Sequence, residues 1–354
     1  MSAEIVEPRV INGTFGEGGA ALMRTALAAA SLTQQPVRIH HVRGATRKPG
    51  ITSEDLTFVH ALEVITQAKL AGADLRSDDL TFIPTRGPKS IVTRMDIQEH
   101  EKGTQPGNAL VLASSLLPVL ARAGGYSKLL IHGETYNPNT LTFDVFERGT
   151  LRALARMGLV AFARQEVAGF GFGGHGEVTV EIEPSVPNAI QWGDRGSLRT
   201  IEVVVVTGEL PETIADRGAN YAAARFHEMG LPVEVDAVTV SSRTPGAYVT
   251  IVGEFERGFG TGTAIGAKGV RIERVVDQAI EQFLEWYQTS ATVDPFLADH
   301  LLLPAVLCEE PSLFTVSRVT PRLLTMAWVI KQFFPIHLTI LGIEGEPGTV
   351  RISR

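Results

Sequence analysis

Near the N-terminus, Gly13-Thr14-Phe15-Gly16-Glu17-Gly18-Gly19 runs into a stretch rich in helix formers. Small residues let a ligand approach the backbone, and a helix N-terminus offers free N–H groups and a positive dipole end to an anion. Glu17 within that turn is placed to hold a divalent metal bridging phosphates. The same glycines also suit a turn needed only for close strand–helix packing. Arg38, Arg43, Arg47 and Lys48 follow within eleven residues, next to Pro49-Gly50. Guanidinium groups chelate phosphate oxygens, so the cluster reads as a phosphate-binding loop; the alternative is a solvated edge whose long side chains lie along the surface. Asp299 and His300 share one helical stretch, where an imidazole either bonds a base or phosphate or is structural. His132, beside Glu134, is equally open, and His175 in a glycine hairpin reads as exposed or packing. Thr320-Pro321-Arg322 reads as an N-cap followed by proline at the first helical position. Arg322 then sits at a helix N-terminus, mildly against the dipole unless it faces an anion or solvent.

Several chemistries are absent from the sequence. There is no GxxxxGK[ST] loop, no GxGxxG–acid fingerprint, no Gly-x-Ser-x-Gly elbow and no HExxH. The lone cysteine, Cys308, excludes an internal disulfide and reads as a buried thiol in an apolar stretch. No apolar run reaches the ~18 residues of a membrane span, and no signal-peptide core opens the chain. A reducing cytoplasmic setting and no membrane partner are the expectation. The 354 residues are 44% apolar and 20% charged, an ordinary globular balance. The net charge of −7 argues against a protein that coats nucleic acid non-specifically. No DNA partner is expected, whereas one RNA end in a local basic cleft remains compatible.

These residues need elements to position them. Strand, helix and strand patterns recur with about 60–80 residues per unit. The expected fold class is α/β (α+β): β-α-β-α-β-β units repeated about four times, with a second helix from about 52 to 72. Helices are expected near 269–288, 296–308 and 320–334. From about 185 to 266 the order changes to strand, helix, strand, turn, strand. That stretch reads as a small inserted α+β domain, leaving residues 1–184 and 267–354 as the repeated-unit core.

In order along nearly the whole chain, several segments resemble one family. GTFGEGGAALMRTALAAASLTQQPVRI is similar to the opening signature of the RNA 3′-terminal phosphate cyclases. VRGATRKPGITSEDL resembles their basic loop, GGHGEV their glycine hairpin, WGDRG the entry to their inserted domain, and FLADHLLLP their nucleotide-side helix. The resemblance implies repeated β-α-β-α-β-β units, shared with enolpyruvate transferases, plus a small insert. It implies ATP and a divalent metal (Mg or Mn), a histidine that takes the adenylyl group, and an RNA bearing a 3′-terminal phosphate that becomes a 2′,3′-cyclic phosphate. By resemblance, Glu17 is the acid associated with the metal, Arg24 and Arg43 lie near phosphates, and Asp299 lies near the nucleotide.

The chain also departs from that pattern. The nucleophilic histidine should precede Leu-Leu-Thr, and here Arg322 does. A guanidinium stays protonated and does not accept an adenylyl group. Ala21, Glu54, Asp55, Phe296 and His300 stand where the family carries Gln, Gln, His, Tyr and Gln. Eukaryotic ribosome-biogenesis relatives resemble the cyclases yet lack the same histidine. The expected function is therefore a cyclase-like protein that binds an RNA 3′ end or a nucleotide without a histidine adenylate. The alternatives are an ATP-dependent cyclase with His300 as replacement nucleophile, and an enolpyruvate-type small-molecule transferase. The sequence does not specify an oligomeric state.

Overall fold

The computed structural model describes residues 7–97, 107–138, 140–171 and 175–354. The first unit comprises β1 (Arg9–Asn12), α1 (Ala20–Thr33), β2 (Val37–His40), α2 (Ser53–Thr66), β3 (Lys69–Ala71) and β4 (Asp79–Ile83). Its sheet runs β1-β2-β4-β3, with β1 and β2 parallel and the remaining pairs antiparallel. Helix α2 stops at Thr66, short of the expected residue 72. Gln67 takes a left-handed conformation (φ 51°) and donates its N–H to Glu63, freeing 69–71 to pair with β4.

The second unit repeats the pattern with β5 (Val92–Asp96), α3 (Ala109–Ala121), β6 (Ser127–Gly133), α4 (Arg152–Arg156), β7 (Ala161–Val167) and β8 (Gly176–Ile182). Its strand order, β5-β6-β8-β7, is that of the first unit. A π-helical segment, Val145–Leu151, runs into α4.

The third unit is interrupted. It opens with β9 (Gln191–Trp192). The chain then leaves for β10 (Leu198–Gly208), α5 (Glu212–Glu228), β11 (Glu234–Thr239), β12 (Gly246–Phe255), β13 (Gly258–Ile265) and α6 (Ile272–Tyr287). It returns as α7 (Pro295–Val306), β14 (Ser312–Val316), α8 (Pro321–Phe333), β15 (His337–Leu341) and β16 (Gly348–Ser353). The sheet β9-β14-β16-β15 has the same first-second-fourth-third order as its two predecessors. The β-α-β-α-β-β theme therefore occurs three times, not four. The fourth sheet, β11-β10-β12-β13, lies between the first strand and first helix of the third unit.

This pairing also differs from the expected division at residues 185 and 266. Strand β9, inside that range, joins a core sheet, while α6, outside it, packs on β13. The glycines of β13 explain the packing. A Cβ on Gly260 would lie 2.0 Å from the Trp286 ring, and one on Gly262 would lie 2.3 Å from the Ala279 carbonyl. Helix α6 thus fills the space that strand side chains would otherwise take.

The main core gathers α1, α2, α3, α7 and α8 against the three repeated sheets; a second core lies between α5, α6 and the fourth sheet. An arginine row joins them. Arg148 reaches Glu202 and Asp236, both at 3.0 Å, Arg152 pairs with Glu202, and Arg156 pairs with Glu254. Buried Asp294 provides another link. It caps α7 through Leu297 N–H (2.7 Å) and accepts from the Thr261 N–H and hydroxyl on β13, each at 2.8 Å. Cys308 is buried, as expected. Among the described residues, no helix is long and apolar enough to cross a membrane.

Candidate functional site

A cleft of roughly 650 Å³ opens between α1, α3, α7 and α8 on one side and β13 and α6 on the other. Its geometry begins at the glycine turn. Gly16 and Gly18 both adopt left-handed conformations (φ 60° and 59°). A Cβ on Gly16 would lie 2.1 Å from Thr325 Oγ1, so only glycine lets the turn sit on α8. The Glu17 N–H donates to that same Oγ1 at 2.9 Å. The turn is thereby fastened to α8, and Glu17 faces the start of that helix.

Helix α8 begins as its sequence indicates. Thr320 Oγ1 accepts the Leu323 N–H at 3.0 Å and Pro321 takes the first position. Arg322 points into the cleft. Its Nε and Nη2 lie 3.3 Å from Glu17 Oε2 and Oε1, and its Nη1 lies 3.9 Å from Asp299 Oδ2. Burial disfavours the guanidinium's charge, but the facing Asp299 and Glu17 side chains outweigh it and keep the group protonated, which also offsets the unfavourable position at a helix N-terminus.

Helix α7 supplies Asp299 and His300. Burial pushes the Asp299 carboxyl up to about 8; Arg322 opposes that shift, while Glu17 and Asp294 reinforce it. Its Oδ1 is buried without a hydrogen-bond partner. Burial, helped by the Arg322 charge, depresses His300 to about 4, so its imidazole is neutral at physiological pH. His300 Nδ1 lies 2.7 Å from Ser114 Oγ on α3.

The arginines expected near phosphates fare differently. Arg24 lines the cleft, but its Nη2 already meets Glu54 at 2.9 Å and its Nε lies 3.4 Å from Asp55. Arg43 does not line the cleft. It takes a left-handed conformation (φ 55°), and its Nη1 is 3.1 Å from the fully buried Asp55. Burial works to raise the Asp55 pKa, but Arg24, Arg43 and Thr52 outweigh it and hold the carboxyl below its ordinary value. Arg47 and Lys48 stand exposed on the same loop, outside the cleft, and Arg38 pairs with Asp79 at 3.1 Å. The basic cluster therefore divides: Arg38 and Arg43 pair with Asp79 and Asp55, while Arg47 and Lys48 stay exposed on the loop. His132 is held between Asp96 (3.2 Å) and Glu177 (3.3 Å), and His175 is exposed; neither lines the cleft. Gly173 and Gly174 of the glycine hairpin lie outside the described residues.

The wall contributed by α6 was not anticipated. Gln278, Glu281, Gln282 and Glu285 face the cleft at helical spacing, opposite the apolar stripe that packs on β13. A polar stripe of this kind is legible in sequence, but a solvated face has the same period. Gln282 Oε1 also accepts the Thr263 N–H at 2.6 Å, tying α6 to the strand.

The residues as they stand do not fit a divalent ion. The Arg322 guanidinium lies between Glu17 and Asp299, so a positive charge already fills the place where these two side chains meet.

The family model for RNA 3′-terminal phosphate cyclase matches residues 15–340. The chain belongs to the RNA 3′-terminal phosphate cyclase family. An RNA 3′-terminal phosphate cyclase of Methylococcus capsulatus is 33% identical over 344 residues, covering 97% of this chain and 95% of that protein. One from Nostoc sp. is 35% identical over 339 residues, covering 94% and 96%. One from the archaeon Thermococcus gammatolerans is 31% identical over 350 residues, covering 97% of each. Family membership, read with the three repeats and the insert in the third, establishes the expected cyclase-type α/β architecture. It also leaves the enolpyruvate-type alternative resting on the shared repeat alone. Within the cyclase family frame, the residue expected to be the nucleophile's replacement, Arg322, does face the cleft, together with Glu17, Arg24, Asp299 and His300.

Proposed function

We propose that this cyclase-family chain receives an RNA 3′ end or a nucleotide in the cleft and holds its phosphate without forming a histidine adenylate. The observation that carries this reading is Arg322, a permanent cation at the start of α8 where an imidazole was expected. A guanidinium has five N–H donors, of which Glu17 engages only part. The remaining donors suit a terminal phosphate, whose oxygens match the guanidinium fork. The volume is in the usual range for small-molecule sites, about 300–1,000 Å³. Phe296, 39% exposed at the cleft wall, offers a face on which a base can stack. A cytoplasmic setting belongs to the same proposal.

The test compares RNAs of one sequence ending in a 3′-phosphate or a 3′-hydroxyl, by fluorescence anisotropy at fixed salt. Arg322→Ala is expected to weaken binding of the 3′-phosphate end by about 1.5–3 kcal/mol, the range for a hydrogen bond to a charged group. Arg47→Ala, outside the cleft, is expected to change little. Unchanged affinity for Arg322→Ala, or no preference for the phosphate end, would count against the reading.

One observation favours a second reading. His300 is a neutral imidazole lining the cleft, and only a neutral imidazole can attack a phosphoryl group. Its low basicity makes it a weak nucleophile, and Ser114 occupies one ring nitrogen.

A further inference from the structure

We propose that Arg322 is a tethered cation occupying the position a divalent ion would take between Glu17 and Asp299, so that the cleft excludes Mg²⁺ and Mn²⁺. Three observations converge on this. First, one guanidinium spans both carboxylates, with two nitrogens 3.3 Å from Glu17 and a third 3.9 Å from Asp299. A divalent ion would instead draw carboxylate oxygens to about 2.0–2.6 Å. The guanidinium therefore stands in the space an ion would need in order to draw both groups to itself.

Second, the arrangement is built from fixed parts. Glu17 is locked to α8 by its N–H on Thr325 Oγ1 (2.9 Å), and Arg322 sits two residues past the Thr320 cap on the same helix. Asp299 lies on α7, which packs on α8. The guanidinium and the two carboxyl groups it faces are thus carried by elements already fastened together. Third, Asp299 Oδ1 is buried, has no hydrogen-bond partner, and belongs to a residue 9% exposed. That oxygen would serve as an additional ligand for an ion, yet the adjacent guanidinium repels any second cation approaching it.

Arginine does not lose its charge in the physiological range, so this cation neither dissociates nor responds to metal concentration. The inference rests on the cleft being the ligand site only for its biological meaning. Ion binding is read directly, so its outcome is separable from any failure to bind RNA.

The experiment is Mn²⁺ titration followed by electron paramagnetic resonance, on the wild-type chain, Arg322→Gln, Arg322→Ala, and each variant combined with Glu17→Gln. The wild type is expected to show no saturable Mn²⁺ site up to millimolar concentration. Both Arg322 variants are expected to gain one site, at least about tenfold tighter than any wild-type binding, and to lose it again with Glu17→Gln. Thermal melts of each variant confirm that the fold is kept. One Mn²⁺ bound by the wild type and lost with Glu17→Gln would overturn the proposal. So would folded Arg322→Gln and Arg322→Ala chains that bind Mn²⁺ no better than the wild type.

Discussion

Replacing Asp294 by alanine is expected to destabilise the chain by about 3 kcal/mol, seen as a clear fall in the urea midpoint with an unchanged slope. Asp294 is 2% exposed and accepts from Leu297 N–H, Thr261 N–H and Thr261 hydroxyl. Alanine leaves all three donors unsatisfied in the interior, each loss costing roughly 1–3 kcal/mol. One of the three, the Leu297 N–H, is the N-cap bond of α7, worth about 1 kcal/mol. Burial pushes the Asp294 carboxyl above its ordinary pKa, so deleting the charge returns part of that desolvation cost and keeps the net effect below the sum. Asp294→Asn retains an acceptor and is expected to lose less. The functional consequence follows from position: α7 carries Asp299 and His300, and Asp294 sets that helix against β13. A midpoint equal to wild type would show that the link between the inserted sheet and α7 is held elsewhere.

The second large effect is in pH dependence. The folded Asp299 carboxyl is pushed up to about 8 from 3.8, so between those values the folded state binds more protons than the unfolded one. Stability then falls as pH rises through that window, by up to about 1.4 kcal/mol per unit. His300 acts in the opposite sense. Depressed to about 4 from 6.5, it makes stability fall as pH drops through that lower range. Below about pH 6, Asp144, whose carboxyl burial likewise pushes up to about 6, adds to the Asp299 slope against His300, and from about 6.5 to 8 the Asp299 slope remains. Wild type is thus expected to lose stability from near neutral to pH 8. Asp299→Asn removes one slope. Its stability should stay level from about pH 6.5 to 8, exceeding wild type at pH 8 by on the order of several kcal/mol. Denaturation midpoints across that range check the prediction; parallel profiles for the two proteins would mean that Asp299 titrates normally.

How far the sequence carried the fold can be seen in single residues. The Thr320-Pro321 start of α8 and the glycines around Glu17 were legible because caps and left-handed turns are local chemistry. The repeat was legible as a period, but its count was not. The fourth sheet also alternates strand and helix, and only strand order separates it from the other three. The glycines of β13 have no local explanation, because the partner that makes them necessary, α6, meets the strand only in three dimensions. The basic cluster after β2 misled for a related reason. Sequence proximity placed Arg43 beside Arg47 and Lys48, whereas its left-handed backbone and the buried charge of Asp55 turn it inward. Asp55 itself had been legible as a departure from the family pattern, though not as the partner that holds both Arg24 and Arg43.

The most direct test of the central claim is covalent. The purified chain is incubated with ATP labelled at the α-phosphate and with Mg²⁺ or Mn²⁺ between pH 5 and 9, then denatured and assayed for protein-bound AMP. With Arg322 facing Glu17 and Asp299, no label should remain on the chain under any of these conditions. Stoichiometric label that disappears in His300→Ala would contradict the account and make His300 the nucleophile.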